Sequence, residues 1–405
     1  MTAVFTATSA VCVTGLTVVD SGSYWSPFGQ GVILLLMQIG GLGFMVGATV
    51  LVLVLRRRMS LRQRVILQET GSALHLGHGS DLIVRTVLFT LACEAIGAVI
   101  LWRCWAPRLG LGRGLWFGVF HAVSAFTNGS FDLFGSSHSL ADDRGRPLVL
   151  LTMASLIILG GLSFVLIQEV FETRRWGRLS LDSKIVLWGT AVLLLGGAAI
   201  LFIIERQNPA SLAGRPIGEQ VLDTFFHATA ARTAGFTTWD TAHSDERSLF
   251  FLLGLMFVGG APGSMAGGIK ITTAWILNAS VWSTLRGHPE TTALDRRIPP
   301  EQVQQALAVA LLGLTLIGTV TMGISLIEGP RLHAPFLHLL FDVTSAFGTV
   351  GFSTGVTAQL SAASKLLLVL TMFIGRLGPV TFVTALTAQQ RAASYRLAAE
   401  TVRVG

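Results

Sequence analysis

Four triplets of small residues, Val13-Thr14-Gly15, Asn128-Gly129-Ser130, Thr233-Ala234-Gly235 and Thr349-Val350-Gly351, carry the chemistry this sequence can offer. They supply neither a nucleophile paired with a base nor a set of metal-ligating side chains, so what they present is backbone. Glycine lets a peptide turn its carbonyl oxygens to one side, and a ring of such oxygens can replace the hydration shell of a metal cation. Each triplet closes a short segment (5–15, 120–130, 225–235 and 341–351) that opens on phenylalanine. The four share a register, Ser9-x5-Gly15-Leu16, Ser124-x5-Ser130-Phe131, Thr229-x5-Gly235-Phe236 and Ser345-x5-Gly351-Phe352, at separations of 115, 105 and 116 residues. Between 24 and 30 residues after each comes a second glycine signal. These are Gly40-Gly41-Leu42-Gly43-Phe44, Gly160-Gly161-Leu162-Ser163-Phe164, Gly259-Gly260-Ala261-Pro262-Gly263 and Gly375-Arg376-Leu377-Gly378-Pro379. Glycines that only let helices approach, as in small-xxx-small interfaces, account for one such segment. Two signals in matched order, four times over, point to a fourfold internal repeat.

The elements that must position these triplets are membrane spans. Of 405 residues, 51% are hydrophobic and 13% charged, with a mean hydropathy of +0.65, against roughly 25% charged in soluble domains. Apolar stretches of about 20 residues cross a ~30 Å hydrocarbon layer. Seven are read, at 31–55, 82–102, 148–170, 185–204, 249–282, 303–327 and 366–386. The triplet-bearing segments are too short to cross and read as re-entrant. The expected fold is an all-α polytopic membrane protein of four pseudo-symmetric units, each span, re-entrant pore helix, span, around a central ion path. The units cover 1–64, 65–180, 181–297 and 298–405, the last with a short tail. The first unit begins inside its re-entrant segment, so its leading span is absent; a late start assignment and a truncation both explain this.

Charge gives the orientation. Basic clusters follow the second span of each unit: Arg56, Arg57, Arg58, Arg62 and Arg64; Arg174, Arg175, Arg178 and Lys184; Arg286, Arg296 and Arg297; Arg391, Arg396 and Arg403. These loops, and the C-terminus, are expected on the cytoplasmic side. The net charge of +7 then reports orientation in a lipid bilayer, and nucleic-acid binding is not expected. The opposite loops carry Asp20, Asp132, Asp142, Asp143, Glu219, Asp223, Asp240, Asp245, Glu246, Glu328 and Asp342, which would concentrate cations at an outer mouth. All four units point the same way, whereas an alternating-access carrier is expected to show inverted repeats. Irregular backbone at membrane depth must be buried in protein or line a water-filled path, so the four segments should converge on one axis. A helix entering from outside sets its C-terminal end, with about half a negative elementary charge, near the membrane centre.

The third unit's second span is interrupted at 259–268, where Gly259, Gly260, Gly263, Gly267 and Gly268 join Pro262. Such a stretch cannot sustain an ordinary helix and reads as a gating loop beneath the triplets. A simple proline kink explains Pro262 but not the glycines. A phosphate loop is excluded, because Ile269 separates Gly268 from Lys270 and breaks the required GK[ST]. Arg376 occupies the slot held by Gly41, Gly161 and Gly260 in the other units. A charge at mid-membrane costs at least ~2.5 to 3.5 kcal/mol, so Arg376 either faces the path as a barrier to cations or pairs with carbonyls of the loop, and the two readings are compatible. Lys270 belongs to this region or to the cytoplasmic side. Glu94, inside a span, is expected to pair locally, Arg232 to anchor its helix, and His121 and His227 to hydrogen-bond rather than ligate metal. No HExxH is present, and Cys12, Cys93 and Cys104 form no CxxC pair, so neither a zinc site nor a disulfide framework is supported. Met1 to Gly15 lacks the basic start of a cleavable signal. An enzyme is not expected.

The segments Thr8-Ser9-Ala10-Val11-Cys12-Val13-Thr14-Gly15-Leu16, Phe120-His121-Ala122-Val123-Ser124-Ala125-Phe126, Arg232-Thr233-Ala234-Gly235-Phe236, Gly259-Gly260-Ala261-Pro262-Gly263-Ser264 and Ile374-Gly375-Arg376-Leu377-Gly378-Pro379 resemble signatures of the Trk/Ktr/HKT superfamily of potassium transporters. The resemblance covers nearly the whole chain, and the short tail ending Val402-Arg403-Val404-Gly405 is more similar to KtrB than to TrkH. It implies potassium at the carbonyls of the triplets, no covalently bound cofactor, homodimeric assembly in a bacterial plasma membrane, and a cytoplasmic nucleotide-binding ring of KtrA-type subunits. Ser130 departs from the glycine of the other three units. In plant relatives a serine at one filter position accompanies sodium permeation, so the resemblance makes sodium a second permeating ion. The alternative is that Gly129 supplies the needed flexibility and selectivity survives.

Overall fold

The structure, a computed structural model, describes residues 1–57, 79–135, 139–294 and 296–378. Arg58, Arg62, Arg64, Pro379, the end of the seventh expected span and Arg391, Arg396 and Arg403 lie outside them. Single-turn helices aside, the elements are α1 (Thr2–Val11), α2 (Pro27–Arg57), α3 (Gly79–Leu109), α4 (Leu111–Phe126), α5 (Pro147–Gly161), α6 (Phe164–Thr173), α7 (Leu181–Glu205), α8 (Ile217–Ala230), α9 (Glu246–Phe257), α10 (Ile271–Leu285), α11 (Pro300–Glu328), α12 (Phe336–Gly348) and α13 (Ala362–Leu377). A two-stranded hairpin pairs Thr292 with Arg297.

Local chemistry sets the boundaries. Proline opens α5 and α11, where its missing amide costs nothing. Ser163, Ser180, Asp245 and Ser361 cap α6, α7, α9 and α13 with side-chain oxygens. Among the described residues three helices are long and apolar enough to cross a membrane: 83–109, 181–205 and 300–331. Apolar side chains such as Ile203, Phe250 and Leu326 stand exposed on them and on α9, the arrangement of a protein solvated by lipid.

Two of the expected spans are not single helices. Stretch 148–170 is α5 followed by α6, bent by 95° across a break at Leu162 and Ser163. Stretch 249–282 is α9 and α10, with irregular chain over 258–270. The triplet-bearing helices α4, α8 and α12 begin earlier than their apolar segments suggest, at Leu111, Ile217 and Phe336.

Helices α1, α4, α8 and α12 repeat one neighbour relation. Each packs on the post-triplet helix of the preceding quarter of the chain: α4 on α2, α8 on α5, α12 on α9, and α1 on α13. That last contact joins the two ends of the described chain and closes a ring. Among the described residues nine phenylalanines, with Phe120, Phe126, Phe236, Phe347 and Phe352 among them, are fully buried.

Candidate functional site

The triplets lie at the C-terminal ends of α1, α4, α8 and α12, the fourth directly after its helix and the others after one or two intervening residues. In each, the first and third residues take left-handed backbone and the middle one does not. Val13 and Gly15 have φ of 54° and 77°, Asn128 and Ser130 58° and 62°, Thr233 and Gly235 74° and 55°, Thr349 and Gly351 50° and 93°. Left-handed backbone costs a non-glycine residue roughly 1–2 kcal/mol and is a genuine outlier for the β-branched Val13, Thr233 and Thr349. Such strain persists only where the surroundings over-determine it. Here the middle amides are pinned from behind: Thr14 N donates to Ser9 O (2.8 Å), Gly129 N to Ser124 O (2.6 Å) and Val350 N to Ser345 O (2.9 Å). The serines of the sequence register add side-chain bonds. Ser124 Oγ accepts from Phe131 N at 3.0 Å and donates to Phe131 O at 2.7 Å, and Ser345 Oγ accepts from Gly351 N at 3.1 Å.

The structure brings Gly15, Ser130, Gly235 and Gly351 into mutual contact. A Cβ on Gly15 would stand 2.1 Å from the Ser130 Cβ, one on Gly351 2.5 Å from that same atom and 2.4 Å from Thr14 O, and one on Gly235 2.4 Å from Val350 O. Only one of the four positions therefore has room for a side chain, and Ser130 holds it. Its hydroxyl donates to Val350 O at 2.6 Å, a carbonyl of the fourth triplet. Asn128 Nδ2 donates to Thr233 Oγ1 at 2.9 Å, tying the second triplet to the third. Middle residues Thr14, Ala234 and Val350 are fully buried.

On one side of this ring lies a cavity of about 390 Å³ lined by the four contact residues and by Asp20, Asp132 and Asp240. Burial, reinforced by the neighbouring charge of Asp20, pushes the Asp132 carboxyl up to about 6. The other acids expected at this mouth do not line it. Asp143 accepts from Trp105 Nε1 at 3.0 Å and pairs with Arg146 and Arg108; Asp223 pairs with Arg144 at 3.4 Å; Glu328 accepts from Ser361 N. Asp342 is fully buried and accepts five hydrogen bonds, from Ser353 Oγ, the amides of Thr354 and Thr357, and both threonine hydroxyls.

Across the ring from α9 to α10 runs the 258–270 loop. Its ends meet in a parallel bridge between Val258 and Ile269, with Gly259 N donating to Ile269 O at 2.8 Å. Gly263 and Gly268 adopt φ of 73° and 66°, and Pro262 is exposed while Gly259, Gly260 and Gly267 are buried. A Cβ on Gly267 would stand 2.2 Å from Thr349 Oγ1, so the loop touches the fourth triplet. Three amides of the loop dock on other helices: Ala261 N on Gly161 O (3.0 Å), Met265 N on Gly160 O (3.0 Å) and Gly268 N on Gly375 O (3.2 Å). Three cationic side chains hold its carbonyls. Arg376 donates to Met265 O and, at 3.0 Å, to Gly40 O of α2; Arg232 donates to Gly259 O at 3.1 Å; Lys270 donates to Ala266 O.

The second glycine signals sit where helices touch backbone. A Cβ on Gly40, Gly160 or Gly375 would lie 2.0, 1.8 or 1.9 Å from the carbonyl oxygen of Val11, Phe126 or Phe347 respectively, each four residues before a contact residue of the ring. Glu94 accepts from Gln38 Nε2 at 3.0 Å. His121 Nε2 accepts from Leu133 N, and His227 stacks on Trp239 with centroids 3.5 Å apart. Among the described residues no cluster of three or more His, Cys, Asp or Glu could hold a metal ion. The sequence register gave no sign of Asp342 as a pin, because an acid near the outer end of a helix reads as a surface charge.

The model of the TrkH family, described as cation transport protein, matches residues 1–395. The chain is 38% identical to the Ktr system potassium uptake protein B of Bacillus subtilis over 376 residues, covering 93% of this chain and 83% of that protein. It is 36% identical to the potassium/sodium uptake protein NtpJ of Enterococcus hirae, again over 93% of this chain and 83% of the relative. The crystal structure of the potassium transporter TrkH from Vibrio parahaemolyticus superposes with a TM-score of 0.72 at 18% identity, over 93% of this chain and 76% of that one, a likeness of fold. The chain belongs to the TrkH family of cation transport proteins.

Proposed function

We propose that this chain is the ion-conducting subunit of a bacterial potassium uptake system. Potassium, partly stripped of water, passes the carbonyls of Val13, Thr14 and Gly15, Asn128, Gly129 and Ser130, Thr233, Ala234 and Gly235, and Thr349, Val350 and Gly351, and the 258–270 loop with Arg376 closes the path beneath. The observation that carries this reading is the alternation of backbone hand in all four triplets where their third residues touch. Four helix C-termini converge there, together worth about two negative elementary charges, and the cavity beyond adds Asp20, Asp132 and Asp240. The cavity side is the outer face. Homologues named for the Ktr system support assembly with a cytoplasmic KtrA-type nucleotide-binding ring, and we read the conducting unit as a homodimer in the plasma membrane.

The test is growth of a potassium-uptake-deficient bacterium at low potassium, with and without a KtrA-type partner. The chain rescues growth, and Gly235→Ala, whose Cβ would meet Val350 O at 2.4 Å, abolishes rescue while the protein still reaches the membrane. Absence of rescue by the unaltered chain in both settings refutes the reading.

A second reading, relaxed discrimination between potassium and sodium, is favoured by the bond from Ser130 Oγ to Val350 O. That hydroxyl occupies a lone pair of an oxygen assigned to the ion. Ser130→Gly frees it, and the preference for rubidium over sodium uptake should rise about fivefold, the equivalent of one net hydrogen bond of about 1 kcal/mol. An unchanged ratio removes this reading and leaves the first.

A further inference from the structure

The residue three positions after the start of the second glycine signal is glycine in the first and fourth quarters of the chain, Gly43 and Gly378, but Ser163 in the second and Pro262 in the third. The backbone there differs as well. Helix α2 runs through Gly43 without interruption. At Ser163 the helix stops, and α6 leaves at 95° to α5. Ser163 has the extended backbone of an N-cap, and its Oγ accepts from Leu166 N at 3.2 Å. The far end of α6 is tied as well, since Glu169 accepts from the amide and hydroxyl of Ser180 and the hydroxyl of Ser183 at the start of α7.

This break decides which donors reach two carbonyls. In an unbroken helix the oxygens of Gly160 and Gly161 accept from the amides four residues on, Phe164 and Val165. Here they accept from Met265 and Ala261 of the 258–270 loop, both at 3.0 Å. Helix continuation and loop docking compete for the same oxygens. Glycine is a poor helix former, so Gly160 and Gly161 hold the continuous arrangement weakly, and the cap tips the balance toward the bend.

We propose that Ser163 is a positioning residue for the loop: by capping α6 it keeps the carbonyls of Gly160 and Gly161 open as the loop's docking sites. Its effect on transport rests on the reading of that loop as a gate, but the docking itself is measurable without transport. Replacing a serine N-cap by alanine shifts the equilibrium by roughly five- to tenfold, while threonine preserves the cap.

The full chain is reconstituted in lipid nanodiscs for hydrogen exchange and in proteoliposomes for rubidium influx. Ser163→Ala should speed exchange of peptides spanning 258–270 by about five- to tenfold and raise basal influx, and Ser163→Thr should return both to the level of the unaltered chain. Exchange unchanged in Ser163→Ala, or equally fast in Ser163→Thr, overturns the proposal. Faster exchange with unchanged influx upholds the positioning and overturns the gate reading instead. Should Ser163→Ala fail to fold, Gly161→Ala serves, because its Cβ meets nothing closer than Asn128 Nδ2 at 3.8 Å. Added helix propensity there should loosen the loop in the same direction, and protection left intact again overturns the proposal.

Discussion

Gly375→Ala is a one-methyl change whose consequence follows from a single distance. The added Cβ would stand 1.9 Å from the carbonyl oxygen of Phe347, and ordinary contact begins at 3.4 Å. Helices α12 and α13 would have to separate locally by about 1.5 Å, against backbone rather than a side chain that can swing away. Overpacking of this kind costs about 1–3 kcal/mol and occasionally more; with regular helix on both sides the upper end applies, about 3 kcal/mol. The displaced carbonyl lies two residues before Thr349, so the movement reaches the fourth triplet. Gly196→Ala on α7 is the matched control, since nothing lies within 4 Å of its Cβ and alanine improves the helix by up to about 1 kcal/mol. Thermal denaturation in detergent, followed by size exclusion, and rubidium uptake in cells read the two effects. Gly375→Ala should melt well below the unaltered protein and take up little rubidium, with Gly196→Ala equal to it or more stable. A Gly375→Ala protein with unaltered melting and uptake refutes the argument that backbone contact fixes this glycine.

Asp342→Asn keeps one acceptor oxygen but turns an amide group toward hydroxyl and amide donors of Ser353, Thr354 and Thr357, leaving buried groups unpaired. About 2–4 kcal/mol of stability should be lost, against no more than about 0.5 kcal/mol for the exposed Asp142→Asn; equal melting of the two variants would rule out the pinning role. Because burial raises the Asp132 carboxyl to about 6, its charge is present above that pH and lost below it. Rubidium uptake at sub-saturating rubidium should therefore fall as pH drops through about 6, and Asp132→Asn should stay at the acid level throughout; an identical pH profile in both proteins contradicts the assignment.

The sequence made the helical, lipid-solvated character legible because apolar runs persist over many residues. The glycine signals were legible for a related reason. Gly15, Gly235, Gly351, Gly40, Gly160 and Gly375 sit where a Cβ would strike backbone or a neighbouring Cβ at 1.8 to 2.4 Å, and only the sequence position of a glycine, not its surroundings, is needed to notice the spacing. The bend at Ser163 was not legible. One serine in an apolar run leaves hydropathy unbroken, and whether it caps a new helix or rides in an old one depends on what competes for the carbonyls behind it. The fate of the outer acids was hidden for the same reason. Asp143, Asp223 and Asp342 look like surface charges in sequence, and only the folded chain places Trp105, Arg144 and Thr357 against them.

The three cations around the loop, Arg232 and Arg376 buried and Lys270 half-buried, have a common origin in backbone accounting. Chain that leaves helix at membrane depth exposes amides and carbonyls that water cannot reach, each at a cost of several kcal/mol. The amides of Ala261, Met265 and Gly268 are short and fixed, so acceptors must come to them, and they come as carbonyls of Gly161, Gly160 and Gly375. The carbonyls of Gly259, Met265 and Ala266 need donors that reach inward from other positions, and Arg232, Arg376 and Lys270 supply them on long side chains. The loop and its cations are thus one unit: a neutral residue at 376 would leave the carbonyls of Met265 and Gly40 without that donor. Under the proposed function the same charges oppose a cation below the ring. Moving the loop aside must then do two things at once, withdraw positive charge from the path and find new partners for the carbonyls that held it.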